Sequence, residues 1–292
     1  MALDFARRGE EVIGVAGQQP LRGQPFEAVR IDLRDDDAVE HLLDRTGCEA
    51  VVHCAAMTDV DACETAPDAA WRLNARLPGR LAAAAAGRGL RLIHVSTDAV
   101  FDGVRGGYAE GDAPSPVNVY GRTKLAGERA VERAHPDAVI VRVNFFGWSA
   151  TGRRSLAEWF FDHLRRGIRV GGFTDVRISP LLANDVANVL AALLARDVTG
   201  VFHAGAAHGL SKFEFGRLVA REFGFDEDLV TASVSAAAGL AAPRPRNLCL
   251  RSDRLARVLG VRPAAVEGGL TRLHELHRNG YRELLSGMLA PR

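Results

Sequence analysis

Short apolar runs rich in β-branched residues alternate with helical stretches through the first two thirds of this 292-residue chain. Strands buried on both faces are nearly continuous apolar runs, and their alternation with helices is typical of a parallel sheet covered on both sides. The strand candidates are Glu11–Val15, Val29–Leu33, Ala50–His53, Arg91–Ser96 and Ala138–Val143. The helix candidates are Asp36–Asp44, Ala69–Gly87, Val119–Ala134 and Ser155–Arg166. The sequence therefore predicts a doubly wound α/β fold.

The pattern changes in the last third of the chain, after a further helix and strand. The elements predicted there are the helix Asp185–Ala195, the strand Gly200–His203, the helix Phe213–Phe223, the proline-containing stretch Ala232–Pro245, and the helices Ser252–Leu259 and Thr271–Leu289. We predict that residues 1–147 and about 179–204 form a dinucleotide-binding domain. Residues 148–178 and 205–292 are predicted to form a smaller substrate lobe over the carboxyl edge of the sheet, where open α/β sheets bind ligands.

The expected start of a dinucleotide-binding domain is missing. Such a domain opens with a strand, a glycine-rich turn and a helix whose N-terminus holds the pyrophosphate. This chain opens on the helix-like residues Leu3–Arg8, and no helix follows Gly14, Gly17 or Gly23. The sheet is therefore predicted to lack its first strand and its glycine-rich loop. We expect the reading frame to extend upstream, and the alternatives are a shortened chain and a cofactor-free relative.

Composition excludes several classes of function. A formal net charge of +1 gives no basis for binding nucleic acid or a membrane surface, and no apolar run reaches membrane-spanning length. The four cysteines form no Cys-x-x-Cys pair, which argues against a disulfide framework and a zinc site. His53, His94 and His203 lie on apolar strands and are interpreted as core residues, so no metal is assigned. We expect a cytoplasmic protein, and a homodimer is compatible with the sequence.

The most specific motif is a Tyr-x-x-x-Lys, formed by Tyr120 and Lys124. The chain contains only two lysines among its 37 basic residues, which indicates that this position favours a compact ammonium over a guanidinium fork. Helical spacing places both side chains on one face, where the ammonium is expected to lower the pKa of the phenol. Such a phenol can donate a proton to a carbonyl oxygen as a hydride reaches the carbon. A surface pair on an amphipathic helix is the alternative.

Polar or small residues follow several of the predicted strands. Thr97 and Asp98 follow Arg91–Ser96, where a hydroxyl can donate to a substrate carbonyl or merely cap backbone amides. Ala55 and Ala56 follow Ala50–His53 and allow a ligand to approach the backbone, although they are equally typical of a core. In the same way, Asp32 either accepts from an adenine or ribose or forms a turn. Asn74, on the next helix, is a weaker cofactor candidate.

Five segments, in order, resemble the extended short-chain dehydrogenases, specifically their dTDP-4-dehydrorhamnose reductase-like branch. They read VVHCAAMTDVDACE, LNARLPGRLA, VSTDAVFDG, NVYGRTKLAGE and PRPRNLCL, and the resemblance spans about residue 10 to the C-terminus. It implies a Rossmann-like sheet that binds NADP or NAD and a nucleotide-sugar substrate. Two features depart from the branch: its TGxxGxxG loop is missing, and VNFFGW after Arg142 lacks the pattern common in the rhamnose enzymes.

The resemblance also implies roles for individual residues. Thr97, Tyr120 and Lys124 would be the catalytic set, with Tyr120 as the acid and Lys124 on the nicotinamide ribose. The implied cofactor-binding residues are Asp32, Leu33, Ala55, Ala56, Thr58, Asn74 and Lys124. The implied substrate-binding residues are Asp98, Asn144, Arg244 and Arg246.

Three functions compete at this point. The first is NAD(P)H-dependent reduction of a 4-keto nucleotide-linked deoxysugar. The second is a nucleotide-sugar dehydratase or epimerase, but the related dehydratases carry a Glu where this chain has Ala99. The third is a non-catalytic binding subunit resembling the β subunit of methionine adenosyltransferase. Gln18 and Gln19 stand where an acid would select NAD by binding the ribose, so NADP is expected to be tolerated.

Overall fold

The computed structural model describes residues 1–17, 20–33, 35, 38–152, 155–261 and 263–289. The helices are α1 (Ala2–Arg7), α2 (Ala38–Thr46), α3 (Val60–Thr65), α4 (Pro67–Trp71), α5 (Leu77–Ala86), α6 (Val119–Ala134), α7 (Leu156–Leu164), α8 (Ala183–Leu194), α9 (Lys212–Glu222), α10 (Asp253–Leu259), α11 (Val266–Arg278) and α12 (Tyr281–Gly287). The strands are β1 (Ile13–Ala16), β2 (Glu27–Arg30), β3 (Ala50–His53), β4 (Arg91–Ser96), β5 (Val139–Val143), β6 (Phe145–Phe146), β7 (Val170–Phe173), β8 (Arg177–Ile178), β9 (Leu181–Leu182), β10 (Gly200–Ala204), β11 (Leu210–Ser211) and β12 (Val230–Ser233).

Four parallel strands form the central sheet in the order β10-β5-β4-β3. Successive residues of each strand pack into two hydrophobic cores, one on each face of the sheet. Leu92 and Ile140 pack on one face, and Ile93 and Val141 pack on the other. This follows from the two-residue period of a strand and explains why the sequence of each strand is apolar throughout. Helices α2, α5 and α6 contribute to the first core, and α8 contributes to the second. The predicted α/β fold is confirmed.

A second, two-stranded sheet stands apart from the first. Strand β1 pairs with β2 alone, and β3 pairs with β4 alone, so no ladder joins β1 to β3 within the described residues. In a doubly wound sheet the first strand lies between these two neighbours. Within the described residues, one edge of β1 and one edge of β3 therefore have no ladder partner.

Most predicted elements are found, and the differences have local causes. The predicted bounds of β3, β4 and α6 match the structure. The predicted helix Thr271–Leu289 is divided between α11 and α12 because Gly280 adopts a left-handed conformation with φ 71°. The predicted helix Ala69–Gly87 contains the π-helical turn Arg72–Arg76 between α4 and α5. The first residues of the predicted helix Asp36–Asp44 lie outside the described residues.

The C-terminal elements share a core with the sheet. Phe146 of β6 contacts Phe215 of α9 edge-to-face, and Trp148 contacts Phe223 in the same manner. One cluster of buried side chains therefore extends from β5 into α9 and α11. The boundary between the two predicted portions stays a prediction. Among the described helices, none has the length and apolar character needed to cross a membrane.

Candidate active site

A threonine and an aspartate follow strand β4 at the edge of the sheet where the parallel strands end. Thr97 and Asp98 follow its last residue and are 5% and 2% exposed. The Thr97 hydroxyl oxygen accepts from the Ala99 amide at 3.1 Å and lies 3.1 Å from Asp98 Oδ1. It thereby caps the short 3-10 helix Asp98–Val100, as the backbone-capping interpretation expected. This role leaves the hydroxyl proton available to one neighbour at a time.

Helix α6 begins directly against this turn. The Asn118 side chain caps the helix by accepting from the Gly121 amide at 2.8 Å. A Cβ at Gly121 would collide with the carbonyl oxygen of Ala99, so glycine permits the two backbones to touch. This contact brings the Tyr120 phenol close enough to the Thr97 hydroxyl for that hydroxyl to lower the pKa of Tyr120. The structure therefore brings Thr97 and Tyr120 together, as the sequence predicted.

The electrostatic part of the prediction fails in this structure. Burial raises the pKa of Tyr120 to about 12, and the effect of Thr97 only partly offsets it. Lys124 was expected to lower this pKa, but its ammonium donates to the Val95 carbonyl of β4 at 2.8 Å and lies 3.4 Å from His94 Nε2. Burial also lowers the pKa of Lys124 itself to about 8. Desolvation, which the helical spacing does not reveal, decides both directions.

A buried ion pair that sequence reasoning missed fixes α6 to the sheet. Arg142 of β5 and Glu128 of α6 are joined by Nη2 and Oε2 at 2.7 Å, with side chains 5% and 1% exposed. Ser96 of β4 donates to Glu128 Oε1 at 2.5 Å. Glu128 stands one helical turn after Lys124, and its charge acts to raise the pKa of Lys124. The spacing Lys124-x-x-x-Glu128 was the available signal, since it places the carboxylate on the same helix face.

Asp98 and Asn144 meet at the ends of neighbouring strands, as expected for substrate-binding candidates. Asn144 follows β5, and its Nδ2 donates to Asp98 Oδ2 at 2.9 Å. Burial raises the pKa of Asp98 to about 6, and the hydrogen bonds from Asn144 and Thr97 work against this rise. Lys212, the second lysine of the chain, also lowers the pKa of Asp98 by its charge. Sequence reasoning counted this lysine but assigned it no role.

The cofactor candidates divide into two groups. Ala55 and Ala56 are half-buried and Thr58 is exposed in the loop that follows β3, while Asp32 and Leu33 follow β2. All five therefore lie beyond the carboxyl ends of their strands, where the sequence placed them. Gln18 and Gln19, which bear on the choice between NAD and NADP, lie outside the described residues.

Asn74 belongs to neither group, because its side chain is fully engaged within the protein. It is completely buried in the π-helical turn, its Oδ1 accepts from the Met57 amide at 2.8 Å, and its Nδ2 donates to the Met57 carbonyl at 3.0 Å. Nδ2 also lies 3.2 Å from Thr123 Oγ1 of α6. In this structure Asn74 positions the loop after β3 against α6, and its contact with a cofactor stays a prediction.

The two candidate arginines are placed differently. Arg244 donates through Nη2 to Asp61 Oδ2 of α3 at 2.7 Å and through Nη1 to the Ala242 carbonyl at 2.8 Å. It thus ties the proline-containing segment to the helix that follows the Ala55–Thr58 loop. Arg246 is exposed, and its charge acts on Asp175. Arg244 is therefore tied to α3, whereas the Arg246 side chain is turned to solvent, and the substrate-binding role of each stays a prediction.

Two histidines form a buried pair behind Lys124. His53 Nδ1 and His94 Nδ1 are 2.8 Å apart, and the two rings stack with centroids 5.0 Å apart. Burial lowers the pKa of His53 to about 3, and the charge of Lys124 lowers it further. Both rings are therefore neutral in the folded protein at neutral pH. Across the described ranges, no group of three or more potential ligands could hold a metal ion.

Comparison with known families shows the family of the chain. A family model described as RmlD substrate binding domain matches residues 4–278. The chain belongs to this family. This match confirms the resemblance that the five ordered segments indicated.

Three curated relatives are similar to this chain over most of its length. It is 37% identical over 272 residues to the probable low-salt glycan biosynthesis reductase Agl14 of Haloferax volcanii, covering 91% of this chain and 90% of that protein. It is 37% identical to the dTDP-4-dehydrorhamnose reductase of Mycobacterium tuberculosis H37Rv, covering 86% and 80%. It is 34% identical to methionine adenosyltransferase 2 subunit beta of Danio rerio, covering 80% and 74%. Homology to the named reductases places the chain among the oxidoreductases.

Two solved structures show the same fold. A dTDP-4-dehydrorhamnose reductase of Clostridium acetobutylicum matches with a TM-score of 0.81 at 25% identity, covering 92% of this chain and 100% of that one. The enzyme of the same name from Bacillus anthracis, solved in complex with NADP, also matches with a TM-score of 0.81, at 24% identity and covering 91% and 99%. The RmlD-type fold is therefore shared over nearly the whole of the described chain.

Proposed function

We propose that the protein is an NAD(P)H-dependent reductase of a nucleotide-linked 4-keto-6-deoxysugar. The observation that carries this proposal is the meeting of Thr97 and Tyr120 at the carboxyl end of β4, with Lys124 buried one turn along the same helix. An acid, a hydroxyl donor and a cation at one strand end suit carbonyl reduction. The relatives named as reductases, including a dTDP-4-dehydrorhamnose reductase, support the same reaction class.

The residues around the site fit a nicotinamide cofactor in part. The loop after β3 begins with the small residues Ala55 and Ala56, and Asn74 holds it in place through the Met57 backbone, which suits close approach of a dinucleotide to the backbone. Asp32 follows the end of β2, as expected for a residue that contacts the adenine or ribose of such a cofactor.

The proton step follows from the state of Tyr120. Because burial raises its pKa to about 12, the phenol is fully protonated at neutral pH and ready to act as an acid. A bound reduced nicotinamide would supply the hydride to the carbonyl carbon. Tyr120 would then donate its proton to the developing alkoxide, while Thr97 would donate a hydrogen bond to the same oxygen. Ala99 provides no second acid for elimination, which favours reduction over dehydration.

The proposal is tested by supplying NADPH and a panel of dTDP-, UDP- and GDP-linked 4-keto-6-deoxysugars and following the absorbance of the reduced nicotinamide. Replacing Tyr120 by Phe is expected to lower turnover by at least ~100-fold, as for a lost general acid. Tyr281→Phe, on α12, is the matched control and is expected to keep the normal rate. A Tyr120→Phe protein with near-normal turnover, or a chain that consumes no keto sugar, contradicts the proposal.

One observation favours a second candidate, a non-catalytic binding subunit. One relative, 34% identical to this chain, is named methionine adenosyltransferase 2 subunit beta. Such a subunit would bind a partner enzyme tightly and turn over no keto sugar. Titration of the chain with NADPH by calorimetry, followed by the assay above, separates the two functions.

A further inference from the structure

The second lysine of the chain, Lys212, lies at the site although it is far from Tyr120 in sequence. It is the first residue of α9, and its amide donates to the Val176 carbonyl at 3.0 Å. Gly172 of β7 allows this close packing, because a Cβ there would lie 2.5 Å from Phe213 Cα. The Lys212 ammonium stands 5.7 Å from the centroid of the Phe173 ring. The Arg177 amide, one residue after Val176, donates to the Arg246 carbonyl at 2.7 Å, and the Asn247 amide donates to the Gly103 carbonyl at 2.9 Å. The start of α9 therefore adjoins the segment that packs on the turn after β4.

The ammonium has charged neighbours but no hydrogen-bonded partner. Its charge lowers the pKa of Asp98, and the charge of the Arg244 guanidinium lowers the pKa of Lys212. No ion pair or hydrogen bond joins Lys212 Nζ to another described residue. Asp98 is already bonded to Asn144 and close to Thr97, and Arg244 is already paired with Asp61. Lys212 therefore retains all three ammonium donors for a group outside the protein.

The surroundings favour an anion as that group. Burial lowers the pKa of Lys212, and the nearby Arg244 charge lowers it further, which shows that the protein holds two cations close together at a partly buried position. A bound anion would relieve this repulsion and accept from the free donors. Cation–π contact with Phe173 alone leaves these donors without partners, so a purely structural role explains the position less completely.

We infer that Lys212 is a substrate-binding residue whose ammonium donates to a phosphate oxygen of the nucleotide-linked substrate, opposite Asp98. This inference rests on the proposed function, since it names the contact that holds the diphosphate of the same sugar substrate. Arg244 would add long-range attraction, because its own donors are engaged by Asp61 and Ala242.

Binding of dTDP, UDP, GDP and inorganic pyrophosphate to the 292-residue chain, measured by calorimetry without cofactor, tests the inference. Lys212→Met is expected to weaken the tightest of these ligands about tenfold or more, as for a lost charge-assisted hydrogen bond. The affinity of the variant should also depend less steeply on salt concentration. Lys212→Arg, which keeps the charge, is expected to retain a large part of the affinity.

Arg217→Met is the matched control, because Arg217 is an exposed cation on the same helix and pairs with Glu227. It is expected to leave the affinity unchanged, and circular dichroism checks that each variant is folded. Equal affinities of the wild type and folded Lys212→Met, or no binding of any of the four ligands, would overturn the inference. Lys212-dependent binding without reduction of any keto sugar would instead reject only the proposed reductase activity.

Discussion

Two glycines in the segment NVYGRTKLAGE decide how closely α6 approaches its neighbours. A Cβ at Gly121 would collide with the Ala99 carbonyl, and one at Gly127 would collide with the Asn74 carbonyl. The helix that carries Tyr120 and Lys124 is therefore in backbone contact both with the turn after β4 and with the π-helical turn. Glycine normally weakens a helix interior, so these positions exchange helix propensity for close packing.

Replacing Gly121 by Ala is expected to push the start of α6 away from the turn that contains Thr97. Both the thermal midpoint and any reductase turnover should fall, because overpacking typically costs about 1–3 kcal/mol and also separates Tyr120 from Thr97. Gly268→Ala in α11 is the control, since a Cβ there meets only the end of the Arg272 side chain. Thermal melts and the keto-sugar assay provide the measurement. Equal behaviour of the two variants would refute the packing argument.

The buried histidine pair predicts an acid-sensitive stability. Burial lowers the pKa of His53 from 6.5 to about 3, so the unfolded chain binds more protons than the folded chain between these values. Its contribution to stability is fully present above pH 6.5 and is lost progressively as the pH falls towards 3. In His53→Gln this loss should be smaller, by about 1.4 kcal/mol per pH unit below the unfolded pKa. Urea unfolding at several pH values measures the difference, and parallel curves for the two proteins would contradict the argument.

At the scale of elements, the position of α6 depends on contacts with strands that are distant in the chain. The Glu128–Arg142 pair and Ser96 join the helix to β5 and β4 in the interior, and the side-chain Nδ2 of Asn118 donates to the Pro243 carbonyl at 3.0 Å. A buried pair of this kind is costly to break, because removal of one partner leaves an uncompensated charge. These bonds fix the register of the helix against the sheet and thereby position Tyr120 and Lys124.

The unpaired edges of β1 and β3 give a prediction about strand completion. We expect an engineered extension before Met1, made of a short apolar strand and a glycine-rich turn, to pair with both edges. Each new backbone hydrogen bond contributes on the order of 1 kcal/mol, so the thermal midpoint should rise by at least about 5 °C. NADPH affinity should rise as well, because the turn supplies amides for the pyrophosphate. A Gly/Ser extension of equal length is the control, and identical melting of the two extended proteins would argue against strand insertion.

At the scale of the whole molecule, the sheet and the C-terminal helices share one core, and the candidate site residues lie near the ends of β3, β4 and β5 and the start of α6. Much of this was predictable. The strands β3 and β4 and the helix α6 have the predicted bounds, and Thr97, Tyr120, Asp98 and Asn144 meet as their strand-end positions indicated. The internal bonds of Asn74 and the exposure of Arg246 were not predictable, because an order of motifs does not show which side chains are bonded within the protein or turned to solvent.

The sequence by itself determined the alternation of strands and helices and the local spacing of Tyr120 and Lys124, because periodicity and helical geometry depend on neighbouring residues alone. Only the tertiary structure decided that burial raises the pKa of Tyr120, that Lys124 bonds the Val95 carbonyl, and that Lys212 comes near Asp98. These outcomes depend on desolvation and on charges brought together across more than a hundred residues of chain. Such quantities exist only once the strands and helices have packed.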